Sequence, residues 1–390
     1  MPDVEHQAVA EQVFSGLDAI KDLRTETAAE LDVLMPSILD RASRGSCKGK
    51  AMKALASYRP MVLGIGLLLS ASALHSYALT EGDYTYTVES GKATITAFPK
   101  NYAGALTMPA ALGGCPVAAI GNNSFKSCTN LTAVTIPGTV TNVGEFAFWR
   151  CGKLASVSLP DSLTVLGLAA FCACPSLKSV TIPGGVGNVG KTAFAECGLT
   201  DLTIRPGVKN IDNGAFEHCP FLTSINIPSS VTNIADLAFS YCYGLTRVAI
   251  PSSIARLGQS AFEQCTNLSS VLFQGPAPTL SGSYVFSGTP ATIYYLSGTT
   301  VWCDTFGGRP TLCWNPAVQH DANFGFTSDR FGFNIAGTTN IPVVVEAATD
   351  LASGVWTPLT NATLGISGSL YFTDPSSTNN PVRFYRIVWP

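Results

Sequence analysis

The chain has 390 residues, 13% of them charged and 46% hydrophobic, with 23 Lys plus Arg against 26 Asp plus Glu and a net charge of −3. That balance excludes a nucleic-acid binder, which needs a basic face to neutralise phosphates, and a disordered chain, which combines low hydrophobicity with high net charge. With 36 Gly and 24 Pro, turns and short strands are expected over long helices. The first element in chain order departs from this. Residues 8–44 mix charged and apolar side chains at helical spacing, with Leu17, Ile20, Leu31, Leu34 and Ile38 prominent, so a helical N-terminal extension is expected over residues 1–51. Pro36 should kink or end that helix.

Within residues 1–42, the run from Thr27 to Ala42 resembles the C-terminal helix of type I restriction specificity subunits. No DNA-reading domain accompanies it, so the resemblance implies a fusion remnant or a mis-assigned start and no nucleic-acid partner. Lys48, Lys50, Lys53 and Arg59 then form a basic stretch ahead of an apolar core, Met61 to Leu69, and an A-x-A-like site at Ser76-Tyr77-Ala78. That order is the grammar of a secretory signal peptide, expected over 52–78 with Met52 as initiator. The alternative is a retained membrane anchor over 61–79, at the short limit for spanning a bilayer.

The middle of the chain repeats. Phe125, Phe148, Phe171, Phe194, Phe216, Phe239 and Phe262 are spaced 23, 23, 23, 22, 23 and 23 apart. Cys follows each three residues later, from Cys128 to Cys265, and then comes Leu-x-x-Val-x-Ile-Pro or a close relative, as in Leu131 to Pro137. The unit of Leu199 is one residue short and carries its Pro206 one position late. Such a period means a solenoid: one unit cannot bury its own apolar side chains, and stacking places Leu on Leu and Phe on Phe. Val and Ile alternate inward as in a strand, Pro ends the strand, and Ala-Phe-x-x-Cys is expected as a short helical turn or an irregular rung.

These units resemble BspA-like, or Treponema-type, leucine-rich repeats, over about Tyr84 to Pro316. The resemblance implies an N-terminal cap and degenerate repeat over 79–121, repeats over 122–273 and a C-terminal cap over 274–318. It also implies a bacterial protein, secreted or on the cell surface, that binds other proteins without catalysis.

Seven cysteines in one register suggest a metal array or a disulfide ladder, but stacked equivalent side chains point in parallel and do not converge. A buried structural role is therefore expected, with no metal and no cofactor. Cys303 and Cys313 lie off the ladder and are candidates for a cap disulfide. No nucleophile–base spacing, zinc motif or phosphate loop is present, so no enzyme is expected. His218 reads as a surface residue, and His320 falls in the junction to the last domain. The outward strand residues are small, polar and nearly uncharged. Thr135, Ser158, Thr181, Asp201, Thr203, Asn226 and Arg247 form the candidate binding face, for an unidentified extracellular protein or a matrix or cell-surface ligand.

Over 319–390 the period vanishes, and alternating strands such as Pro342 to Ala348 and Ser369 to Thr373 predict a small antiparallel β-sandwich. The expected fold class is thus mainly β: a capped leucine-rich-repeat solenoid, a β-sandwich module and a helical N-terminal extension. Two alternatives to the binding face stand beside it. The solenoid could be a spacer displaying a binding or sorting module, or the chain could be accessory to an extracellular polymer-degrading enzyme.

Overall fold

A computed structural model describes residues 78–327, 330–377 and 382–389. Every element in the described residues is a strand. The fold class is corrected accordingly: no α-helix occurs among the described residues, so helix has no place in the fold as described. The expected helical extension over 1–51, and the expected signal segment apart from Ala78, lie outside the described residues.

The chain divides into two compact units. The first holds the described residues up to Thr94 together with Ala111–Val117. In it Leu79–Glu81 runs antiparallel to Tyr84–Glu89, and Ala111–Leu112 pairs with Cys115 and Pro116 in a tight hairpin. Gly113 sits in the left-handed region at φ +57, and a Cβ there would lie 2.6 Å from the buried Tyr86 hydroxyl, so only glycine fits.

The second unit comprises Ile95–Ala110 and Ala118–Pro390. Its repeats stack as parallel rungs. A broad sheet of 11 strands runs from Gly104–Thr107 through Leu131–Thr135, Ser156–Ser158, Ser179–Ile182, Asp201–Ile204, Ser224–Asn226, Arg247–Ile250, Ser270–Phe273 and Thr292–Leu296 to Arg309–Trp314. Thr305–Phe306 turns back antiparallel on Arg309 and Pro310 and ends the sheet. A narrow ladder of two-residue strands, from Asn142–Val143 to Thr279–Leu280, forms a second side. The registers are strict: Ser179 pairs Asp201, Val180 pairs Leu202, Thr181 pairs Thr203 and Ile182 pairs Ile204. Pro lacks an N–H for the ladder, so it falls where the strand stops, and its carbonyl accepts the turn N–H three residues on, as from Leu163 to Pro160 at 3.0 Å.

The third side is a run of turns. Two residues per rung adopt left-handed backbone, four apart: Thr192 and Glu196 at φ 50 and 57, Leu237 and Tyr241 at φ 59 and 59. That conformation breaks the i→i−4 pattern of a helix and points the N–H groups at the next rung. Thr192, Phe194 and Glu196 donate to the carbonyls of Asn213, Ala215 and Glu217 at 2.8 to 2.9 Å. Between the sides the phenylalanines stack face on face from Phe125 to Phe286, at centroid distances of 4.9 to 5.7 Å. Phe98 packs under Phe125 at 4.8 Å, so the column reaches beyond the seven periodic units at both ends.

The last part of the unit carries two small antiparallel sheets. In one, Arg330–Ala336 pairs with Ala317–Gln319, Gly325–Thr327 and Ser369–Asp374. In the other, Pro342–Ala348 lies between Thr357–Thr363 and Phe384–Val388. Phe333, Ile335 and Phe372 from the first and Val343 and Val345 from the second share one apolar cluster with Leu272 and Tyr294 of the broad sheet.

Candidate functional site

Alternation along each broad-sheet strand buries Val, Leu and Ile and turns the intervening side chains outward, where the registers align them into two rows. One runs through Ala133, Ser156, Ser179 and Asp201, and resumes as Ser224, Arg247, Ser270 and Thr292. The other runs from Thr107 through Thr135, Ser158, Thr181, Thr203 and Asn226 to Ala249, Leu272, Tyr294 and Leu312. Thr135, Ser158, Thr181, Asp201, Thr203, Asn226 and Arg247, the residues expected to form the face, are all exposed. They lie on one surface, spread over the strands of consecutive rungs.

Two features of this face were not visible in the sequence pattern. Its second row changes character at the C-terminal end, where Leu272 and Tyr294 are buried at 5% and 7% exposure by the two small sheets. Burial also pushes the Tyr294 hydroxyl up. Trp314 Nε1 donates to the Pro342 carbonyl at 2.8 Å, and Asn315 Oδ1 accepts from the Thr338 N–H at 2.7 Å, so hydrogen bonds fix the same junction. The broad sheet's outward face therefore already carries a folded protein layer on its last strands.

The second feature is a shallow cleft of about 350 Å³ lined by Ser158, Asp161, Ser179, Thr181, Pro183, Asp201 and Arg205 among others. It comes from the irregular rung. Arg205 stands where neighbouring rungs place proline, and its guanidinium reaches across the Pro183 rung to Asp161 Oδ1 at 2.5 Å. Both side chains are half or more exposed, so the pair shapes the cleft wall and contributes little stability. The missing residue in the same rung falls at Gly198, where a Cβ would lie 2.0 Å from the Pro175 carbonyl oxygen. Asp201 adds a carboxylate to the cleft that makes no ion pair among the described residues.

The ladder cysteines are buried free thiols. Cys128 Sγ donates to the Pro99 carbonyl at 3.8 Å, and from Cys151 on each rung's Sγ donates to the phenylalanine carbonyl of the rung before: Cys197 to Phe171 at 3.1 Å, Cys219 to Phe194 at 3.3 Å, Cys242 to Phe216 at 3.2 Å. Burial pushes Cys128 up to about 11 and Cys265 up to about 12 and raises Cys151, Cys219 and Cys242, while a hydrogen bond with Cys197, then burial, raises Cys174. Neutral thiols locked as donors are poor nucleophiles and poor metal ligands. The sequence signal for this was present, since a small apolar residue with a weak donor recurs where a buried carbonyl needs one. Cys303 is exposed and Cys313 half-buried, and both are free thiols. His218 is exposed and stacks on Tyr241 at 4.4 Å; His320 lies 4.5 Å from Phe324. Burial pushes the neighbouring Glu217 carboxyl up, His218 pulls it back and Glu196 adds to the rise.

Buried charge is concentrated in the small sheets. Asp374, fully buried, accepts from the Tyr385 hydroxyl at 2.8 Å and pairs with Arg383 Nη1 at 2.8 Å, while its other oxygen accepts the Ser376 N–H. Burial, then the Asp374 carboxylate, push the Tyr385 hydroxyl up. The arrangement pins the chain end to the neighbouring sheet and holds no open face for chemistry.

Residues 114–222 and 187–301 match the model of the BspA type leucine rich repeat region, in six copies. The match begins at residue 114 and leaves residues 1–42, with their restriction-subunit resemblance, unsupported. Similar solved structures include a leucine-rich repeat protein from Bacteroides ovatus, 24% identical over 61% of this chain and 76% of that one, with a TM-score of 0.38. They also include the T. pallidum leucine-rich repeat protein, 24% identical over 49% of this chain and 91% of that one at a TM-score of 0.40. A third is a leucine rich cell surface protein from Faecalibacterium prausnitzii, 21% identical over 63% of this chain and 96% of that one at a TM-score of 0.31. Comparison with curated proteins found no match.

Proposed function

We propose, from a repeat region of the BspA leucine-rich type, that this chain is a non-catalytic scaffold that binds a protein partner through the outward face of the broad sheet. The observation that carries the reading is the double use of that face. Over Leu272 and Tyr294 it holds a folded layer of the same chain, whereas from Thr107 to Ala249 it stays open with small, mostly polar side chains. Small side chains give little grip one by one, so affinity comes from area, and the cleft at Asp201 and Arg205 supplies one deeper seat. The partner is an extracellular protein or a matrix or cell-surface ligand, reached by secretion or surface display through the 52–78 segment. Recovery of the mature chain from culture medium or the cell surface, with a new N-terminus near residue 79, tests that placement.

The test of the face is a comparison of the full chain with its Asp201→Ala/Asn226→Ala/Arg247→Ala variant against immobilised matrix and cell-surface proteins. Loss of the bound species in the variant, with its unfolding midpoint unchanged, supports the face. Equal binding overturns it. A second reading, in which the solenoid is a spacer, is favoured by the exposed Phe326 on the strand Gly325–Thr327 and Ile366 in the turn before Ser369–Asp374, at 70% and 93% exposure. It predicts the opposite result: binding survives the triple variant and is lost in Phe326→Ser/Ile366→Ser.

A further inference from the structure

The turn side carries a separation of charge that the binding face lacks. Between the stacked phenylalanine and the following leucine, the first two repeats hold only cations, Lys126 and then Arg150 and Lys153, and the third holds no charge, with Lys178 just after its Leu177. Of the next four, three hold a carboxylate, Glu196, Glu217 with His218 beside it, and Glu263, and the Phe239 repeat holds no charge. Glu145, Lys191, Asp212 and Asp236 sit on the preceding corner, outside this strip. None of the strip's charges makes an ion pair within the described residues. The cations are instead propped on aromatic rings: Lys126 lies 4.7 Å and Arg150 4.2 Å from the Trp149 ring, and Lys178 5.1 Å from the exposed Phe221 ring. A second aromatic group follows at the acidic end, where Tyr241 stacks on His218 and meets Tyr243 edge to face.

We propose that this strip is a self-complementary interface through which two copies of the chain associate antiparallel about a twofold axis at the Phe194 rung. The argument is one of register. In a twofold interface residue i meets j and j meets i, so a strip that is basic in its first half and acidic in its second matches a reversed copy of itself. With the Phe194 rung on the axis, the Phe125 rung faces the Phe262 rung, Phe148 faces Phe239 and Phe171 faces Phe216. Ring-to-ring steps of 4.9 to 5.7 Å keep these rungs evenly spaced, so the three pairings hold together. Lys126 then lies opposite Glu263, and Trp149 and Arg150 opposite Tyr241 and Tyr243, while Lys178, whose ammonium reaches forward to Gly198 and the Phe221 ring, joins Glu196 and its copy at the axis rung. Every contact occurs twice. A parallel arrangement would set Lys126 against Lys126 and Glu263 against Glu263, and a head-to-tail one would not close. The interface uses the turn side, so each broad-sheet face stays open in the dimer and binding becomes bivalent.

Sedimentation velocity of the full chain at low and high salt tests this. The expected result is a reversible dimer near 50 mM salt whose dissociation constant rises by about tenfold at 500 mM, as exposed charge pairs are screened. Lys126→Glu alone weakens the dimer by about tenfold, because each change is read twice, and so does Glu263→Lys alone. The combined variant, Lys126→Glu with Glu263→Lys, restores association to within about threefold, because the pairs are swapped and re-formed. Circular dichroism on each variant confirms the fold. A monomer at all concentrations overturns the proposal. So does a dimer indifferent to either reversal, a combined variant no better than the single ones, or open-ended oligomers in place of a dimer.

Discussion

The cysteine ladder makes a prediction that separates packing from hydrogen bonding. Cys242 is fully buried, and its Sγ donates at 3.2 Å to the carbonyl of Phe216, itself fully buried. That carbonyl accepts no backbone N–H, unlike Phe239, which accepts from both the Cys242 N–H and the Cys265 thiol. Cys242→Ala removes the sulfur and strands the carbonyl. The lost volume costs about 1 kcal/mol, and leaving a buried acceptor unpaired costs about 1 to 2 kcal/mol more, toward the low end because the thiol is a weak donor. Cys242→Val restores the volume without a donor and should lose about 1 to 2 kcal/mol. Cys242→Ser keeps a donor and should lose less than either, about 1 kcal/mol or below. Urea unfolding followed by circular dichroism, with the slope held constant between variants, gives the three differences. The order Ser, then Val, then Ala, from least to most destabilised, is the expected outcome. If Ser is as damaging as Val, the thiol–carbonyl bond contributes nothing and the cysteines are there for size alone.

The same thiols set an alkaline limit. Cys128 is pushed up to about 11 and Cys265 to about 12, and Cys151, Cys174, Cys219 and Cys242 are raised above the ordinary 9.0, so at these thiols the folded state binds protons that the unfolded chain releases. The stability they contribute is complete below pH 9 and is lost between 9 and 12, at about 1.4 kcal/mol per pH unit for each thiol; the unfolding midpoint measured from pH 7 to 10.5 should fall steeply only above 9. Thiol labelling at pH 8 should modify Cys303 in the folded chain and the ladder cysteines only after unfolding. Thr192→Gly relieves a β-branched residue at φ 50 and should raise stability by about 1 kcal/mol, whereas Gly214→Ala, at φ 61 in the equivalent position, should lower it by a similar amount; thermal unfolding reads both. Deleting residues 320–390 uncovers Leu272 and Tyr294, so the remainder should bind an apolar dye and aggregate, and a Leu272→Ser change in the deleted chain should restore part of its solubility.

Most of the repeat architecture is legible in the residues themselves. A period of 23 from Phe125 to Phe262, shortened once to 22, places equivalent positions in register, and the in-register parallel pairing of Ser224, Ile225 and Asn226 with Arg247, Val248 and Ala249 follows from it. The outward positions of the binding face follow equally, because alternation along a strand is fixed by the backbone. At the Ala-Phe-x-x-Cys segments, where a short helical turn and an irregular rung were the two expectations, the irregular rung forms. Their left-handed residues are Thr, Ala, Leu, Glu and Tyr as readily as Gly, so composition conceals the conformation. Three N–H groups per rung find carbonyls on the next rung, and that gain outweighs the local preference.

What the sequence determines alone, then, is the stack: which side chains lie on which, which face outward, and where strands stop at proline. What only the tertiary structure decides is what stands across from each position beyond its own rung. The thiol of Cys242 meets a carbonyl 26 residues back, Arg205 meets Asp161 across an intervening rung, and Leu272 is covered by strands from Arg330–Ala336 onward. Periodicity fixes neighbours within the repeat, because identical rungs must superimpose. It says nothing about a cover or a partner that lies outside the repeat, since those contacts depend on distant segments meeting in space.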